Sequence, residues 1–70
     1  MNYSDFERMT RGKNLPMAGR NEEGENVIIS RGDAGEYGGK FFKVVVPQRN
    51  GWVRTKIYYE NGAAEESYMK

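Results

Sequence analysis

The pair Asn50-Gly51 constrains the fold of this chain more than any other feature of its sequence. Asn-Gly accepts the positive φ angles that both central residues of a type I′ hairpin turn require. Residues 41–48 precede the pair and residues 52–60 follow it, and both segments are rich in β-branched and aromatic side chains. The sequence therefore predicts an antiparallel hairpin over residues 41–60.

A two-residue loop at Asn50-Gly51 would also define the register of this hairpin, because Arg49 would then pair with Trp52. One side of the sheet would hold the pairs Val46 with Thr55, Val44 with Ile57 and Phe42 with Tyr59. The other side would hold Val45 with Lys56, Lys43 with Tyr58 and Phe41 with Glu60. The first side is apolar and the second mixes rings with charges, which is typical of a sheet with one buried face.

Three further segments are candidate strands. Residues 25–31 contain the β-branched run Val27-Ile28-Ile29 and predict a strand. Leu15 and Met17 allow a short edge strand. Asn61-Gly62 repeats the turn chemistry, so residues 63–70 favour a final strand, although their alanine and glutamate residues have higher helix propensity. The glycine-rich segment 32–39 lacks the spacing of a phosphate-binding loop and is interpreted as a connector.

The N-terminal segment predicts a short helix over residues 5–11. Ser4 and Glu7 have the spacing of a capping box. Tyr3, Phe6 and Met9 recur every third residue and form an apolar stripe that needs a sheet to pack on. Gly12 stands where a left-handed C-terminal cap would lie.

These segments predict a single small domain, residues 1–70, of the α+β class. Its architecture is a short N-terminal helix packed on a small three- to four-stranded antiparallel β-meander, with a fifth strand left open. Leu, Ile, Val and Phe together number only twelve, so the core of such a domain is small. Dimerisation is one way for it to bury more apolar surface.

The composition argues against several classes of function. The chain has no cysteine and no histidine, which excludes thiolate or imidazole metal sites and catalytic triads that use histidine. No apolar run approaches the length of a membrane span, and the first ten residues contain no apolar leader segment. We therefore expect a cytoplasmic protein that is not an enzyme, does not contact a membrane and uses no cofactor or metal.

The outward side of the predicted hairpin is the candidate binding surface. Its residues are aromatic or basic: Phe41, Lys43, Trp52, Arg54, Lys56 and Tyr58. Between Gly38 and Tyr59 the chain has five basic residues and no acidic one. Basic side chains attract phosphates, and rings on a sheet stack on unpaired bases or anchor a protein partner.

Three hypotheses use this surface. The leading one is a small adaptor or inhibitor that binds a protein partner. The alternative is binding of single-stranded or structured nucleic acid, with Lys43, Arg54 and Lys56 on phosphates. In the third, the chain is a subunit of a larger assembly or a homo-oligomer, such as a homodimer, and the surface is its interface. A final strand over residues 63–69 would weaken the nucleic-acid hypothesis, because it would bring Glu65 and Glu66 beside the basic residues.

Overall fold

The computed structural model describes all 70 residues. They form one α-helix, a five-stranded antiparallel sheet and two short 3₁₀ helices, Gly35–Tyr37 and Arg49–Gly51. The elements are α1 (Tyr3–Thr10), β1 (Met17–Arg20), β2 (Asn26–Asp33), β3 (Lys40–Pro47), β4 (Val53–Tyr59) and β5 (Ala64–Met69). The strands lie side by side in chain order, so the sheet is a meander. The α+β class is confirmed, and the prediction of three to four strands is corrected to five because both the short β1 and the tail pair with their neighbours.

Helix α1 begins two residues before the predicted start and ends one residue before the predicted end. Its N-cap is Asn2, whose side chain accepts a hydrogen bond from the Asp5 N–H at 3.1 Å. The Asn2 N–H donates in return to the Asp5 carboxylate at 2.9 Å. Asn2 and Asp5 have the same spacing as Ser4 and Glu7, so the sequence allows two capping boxes. The box of Asn2 and Asp5 is the one that forms. Gly12 follows the helix with φ +74°, the left-handed conformation expected of it.

The register of the β3–β4 hairpin differs from the predicted one by one residue. Asn50 and Gly51 do form the turn, with φ angles of +61° and +79°. However, the Gln48 N–H donates to the Trp52 carbonyl at 2.7 Å, while the Trp52 N–H donates to the Arg49 carbonyl at 3.3 Å. Two residues therefore oppose Trp52, as in a β-bulge. Beyond the bulge Val46 pairs with Arg54, not with Thr55.

A shift of one residue turns every side chain of β4 to the other face of the sheet. We call the two sides the helix face, which α1 covers, and the open face, over which no α-helix packs. Only one end of the open face is covered, by the 3₁₀ helix Gly35–Tyr37, where Tyr59 is buried. On the helix face lie Val27, Ile29, Phe42, Val44 and Val46, which form the buried core together with Phe6 of α1. The Phe6 ring lies 5.9 Å from the ring of Phe42 and 4.9 Å from that of Tyr58, measured between centroids. The eight residues of α1 are too few to cross a lipid bilayer, and the chain has no other α-helix.

One end of the open face holds an aromatic cluster of Tyr37, Phe41 and Tyr59. The ring of Tyr59 lies 5.7 Å from the Phe41 ring and 6.4 Å from the Tyr37 ring. Two glycines allow these rings to lie directly on the backbone. A Cβ atom at Gly32 would come within 2.7 Å of Cε1 of Phe41, and one at Gly38 within 2.7 Å of Cδ1 of Tyr59.

The cap of α1 gives a test that separates the two capping boxes. We expect Asn2→Ala to lower the free energy of unfolding by about 1 kcal/mol, because it removes the acceptor for the Asp5 N–H. We expect Ser4→Ala to change it by less than about 0.5 kcal/mol, since Ser4 is exposed within the helix. Urea unfolding of both variants measures the difference, and equal losses would contradict this assignment of the cap.

The close approach of Phe41 to Gly32 gives a second test. We expect Gly32→Ala to destabilise the protein by about 1–2 kcal/mol, because the Phe41 ring must leave its contact with Tyr59. Gly19→Ala is the matched control, since Gly19 is also in a strand and an added Cβ there meets its nearest atom at an ordinary 3.5 Å. Thermal unfolding of the two variants should show the loss only for Gly32→Ala.

Candidate functional site

The shift in register separates the residues that the sequence analysis placed on one surface. The two that come from β3, Phe41 and Lys43, lie on the open face. Those that come from β4 lie on the helix face: Arg54, Lys56 and Tyr58. The prediction that all of them project to one side is therefore wrong, because it assumed a two-residue loop without a bulge.

The basic side chains of β4 are paired with carboxylates on the helix face. Arg54 Nη2 donates to Glu25 Oε1 at 2.8 Å, and Lys56 Nζ lies 3.6 Å from Glu66 Oε2. Both side chains border a cavity of about 120 Å³ whose apolar wall includes Phe6. The Nε of Arg54 is buried and has no hydrogen-bond partner. The contacts with Glu25 and Glu66 nevertheless neutralise the charges of Arg54 and Lys56 within the chain.

The contact of Lys56 with Glu66 follows from the pairing of β5 with β4. Lys56 and Glu66 are directly opposite each other in this pairing, and Ile57 is opposite Glu65. The expectation that a final strand brings carboxylates beside the basic residues is thus confirmed for Glu66. Glu65 lies on the open face, where Oε2 accepts a hydrogen bond from the Tyr59 hydroxyl at 3.2 Å. Burial raises the pKa of Tyr59, and the charge of Glu65 raises it further.

Trp52 lies in the hairpin loop, next to the first residue of β4, and its side chain is exposed. The residue is 43% exposed, so the structure answers the question of its burial, which the sequence left open. The ammonium of Lys70 lies 5.8 Å from the centroid of the indole ring, within the range of a cation–π contact. Trp52 thus contributes an exposed aromatic surface at the end of the sheet.

The open face leaves apolar side chains uncovered, and the sequence analysis missed most of this surface. Ile28 is 48% exposed and Met69 is 64% exposed. Between them lie half-buried aliphatic residues from β3 and β4: Val45, Val53 and Ile57. Their alternation in β4 was visible in the sequence, but the predicted register assigned Ile57 to the buried side.

Charge is scarce on the part of the open face formed by β3, β4 and β5. Lys43 and Glu65 are its only charged side chains, and both are exposed. A band without charge crosses all five strands beside them, through residues that are directly paired: Ala18, Ile28, Val45, Thr55 and Ser67. This surface can make van der Waals and apolar contacts with another molecule over a broad area.

Comparison of the chain with models of protein families, with curated proteins and with solved structures finds no significant match. The geometry of the chain is therefore the basis for any proposal about its function.

The ion pair on the helix face predicts a response to acid. The hydrogen bond that the Asn21 amide donates at 2.9 Å, with Arg54 adding its charge, holds the pKa of Glu25 below its usual 4.5. A carboxylate with a lowered pKa stabilises the fold above the unfolded pKa, and this contribution is lost as the pH falls below about 4.5.

We therefore expect Glu25→Gln to be less stable than the original protein at pH 7, with a smaller difference at pH 3.5. Urea unfolding followed by the fluorescence of Trp52 at both pH values measures this. Glu36→Gln is the control, because Glu36 is exposed and forms no ion pair. A difference that is the same at both pH values would contradict the role of the Glu25 charge.

Proposed function

We propose that this chain is a small protein-binding module that acts through its open face. The observation that carries the proposal is an uncovered sheet face whose centre is aliphatic. Most antiparallel sheets with one solvated face place polar residues there, whereas β4 directs Val53 and Ile57 to that side. Apolar patches rimmed by polar residues on a folded domain mark surfaces that pack against other proteins.

The division of the basic residues favours a protein partner over nucleic acid. Nucleic-acid binding through the predicted surface needs several free cations beside exposed rings. On the helix face, Arg54 and Lys56 are paired with carboxylates. On the open face, Lys43 is the only cation among the residues of β3, β4 and β5.

Site-specific photo-crosslinking tests the proposal. A photoreactive benzoylphenylalanine would replace Ile57, at the centre of the open face, in the cells that natively produce the chain. The matched control carries the same residue in place of Glu7, which is exposed on α1. We expect a discrete covalent adduct with a protein from position 57 and none from position 7.

Adducts from both positions alike, or none from position 57, would contradict the proposal. The mass of the adduct also identifies the kind of partner. A species of twice the 8.0 kDa chain mass matches a pair of copies of this chain, and a species whose mass is not a multiple of the chain mass contains a different protein.

A further inference from the structure

We propose that the partner of the open face is a second copy of this chain, packed face to face about a two-fold axis that runs along β4. This inference rests on the proposed function, because both use the open face. It is carried by the positions of Lys43 and Glu65 on either side of Ile57, and by the absence of other charged side chains from the part of the open face that β3, β4 and β5 form.

Ile57 is the centre of a symmetric charge pattern. It is directly opposite Lys43 of β3 on one side and directly opposite Glu65 of β5 on the other. Neighbouring strands are about 4.8 Å apart, so the backbone positions of Lys43 and Glu65 lie at similar distances on either side of β4. The Glu65 carboxylate also accepts the hydrogen bond from the Tyr59 hydroxyl. The pattern is therefore a cation, an aliphatic residue and an anion in one row across three strands.

A two-fold axis along β4 makes this row complementary to itself. The rotation places β3 of one copy over β5 of the other, so Lys43 of each copy faces Glu65 of the second copy. Ile57 then faces its own equivalent, and so does Val53. An isologous dimer makes every such contact twice, which gives two ion pairs around an aliphatic centre.

Other axes parallel to the strands lack this complementarity. An axis along β3 would place Lys43 against its equivalent, and an axis along β5 would do the same for Glu65. Like charges that face each other in an interface are unfavourable. The positions of the two charges thus select the axis along β4 from these arrangements.

The edges of the sheet are less suited to joining two copies. Antiparallel pairing of β5 with itself would place four carboxylates, Glu65 and Glu66 of each copy, along one short pair of strands. Charged side chains on an edge strand oppose such pairing. The opposite edge strand, β1, has only four residues. The open face is therefore the better surface for self-association.

The size of the face indicates how stable the dimer is. Three strands are about 14 Å wide and seven residues are about 23 Å long, since strands lie about 4.8 Å apart and rise about 3.3 Å per residue. This area of contact is smaller than the roughly 800 Å² that each partner contributes to a standard interface. We infer a reversible dimer whose population depends on concentration. The net charge of the chain is only +1, so overall repulsion between copies is weak.

Sedimentation equilibrium on charge-reversal variants tests the arrangement. We expect the original chain to approach twice its 8.0 kDa mass as its concentration rises. Lys43→Glu and Glu65→Lys should each weaken dimerisation about tenfold or more, because each places two like-charged pairs in the dimer. Both side chains are exposed, so the variants should fold, and circular dichroism verifies this.

An equimolar mixture of the two single variants gives the decisive result. In a mixed dimer, the glutamate introduced at position 43 of one chain faces the lysine introduced at position 65 of the other. The unchanged Lys43 and Glu65 face each other at the second contact, so the mixture should dimerise as the original chain does. The double variant with both reversals should also recover dimerisation. Lys13→Glu is the control, because Lys13 precedes β1 and is not part of the open face; it should leave dimerisation unchanged.

A chain that stays monomeric at millimolar concentration would overturn the inference, and so would single variants whose mixture fails to dimerise. Neither result would overturn the proposed function, for which a photo-crosslinked adduct whose mass is not a multiple of the chain mass remains the test. Absence of any adduct at position 57 would instead contradict the proposed function itself.

Discussion

The hydrogen bond from the Gln48 N–H to the Trp52 carbonyl, 2.7 Å long, is the interaction on which the rest of the structure depends. It closes the hairpin one residue earlier on β3 than a two-residue loop would. The extra residue, Arg49, is accommodated as a bulge. As a result, every side chain of β4 lies on the face opposite to the predicted one. Every property of the two faces that involves β4 follows from this shift.

On the helix face, Arg54, Lys56 and Tyr58 take the places that the predicted register gave to Thr55, Ile57 and Tyr59. The fold tolerates the two cations because α1 is too short to cover the whole face, so their stems lie along the core while their charged groups reach carboxylates near its rim. Arg54 is held by Glu25 from the loop before β2, and Lys56 by Glu66 from β5. The core itself is formed by β2, β3 and α1.

Much of this fold could be predicted from the sequence because its signals are local. The positive φ angles at Asn50 and Gly51 and the β-branched run of β2 are properties of neighbouring residues. The bulge is not local in this sense. The predicted hairpin and the observed, bulged hairpin use the same Asn-Gly turn. They differ in whether Ile57 or Lys56 faces the core, and this depends on packing across the whole sheet. The cap of α1 shows the same limit, since Asn2 and Ser4 offer equivalent spacing.

The sequence predicted most of the fold but not the candidate site, because local patterns define strands and do not define the face on which each set of side chains lies. Alternation along β4 identified two sets of residues correctly, but only the register assigns a set to a face. With Thr55, Ile57 and Tyr59 outward, the chain carries apolar residues on both sides of one sheet and has a single short helix to cover them. A two-layer domain of this size buries one face by itself. In the dimer that we propose, a second copy of the chain buries the other face, and the placement of Lys43 and Glu65 on either side of Ile57 restricts how the two copies can pack.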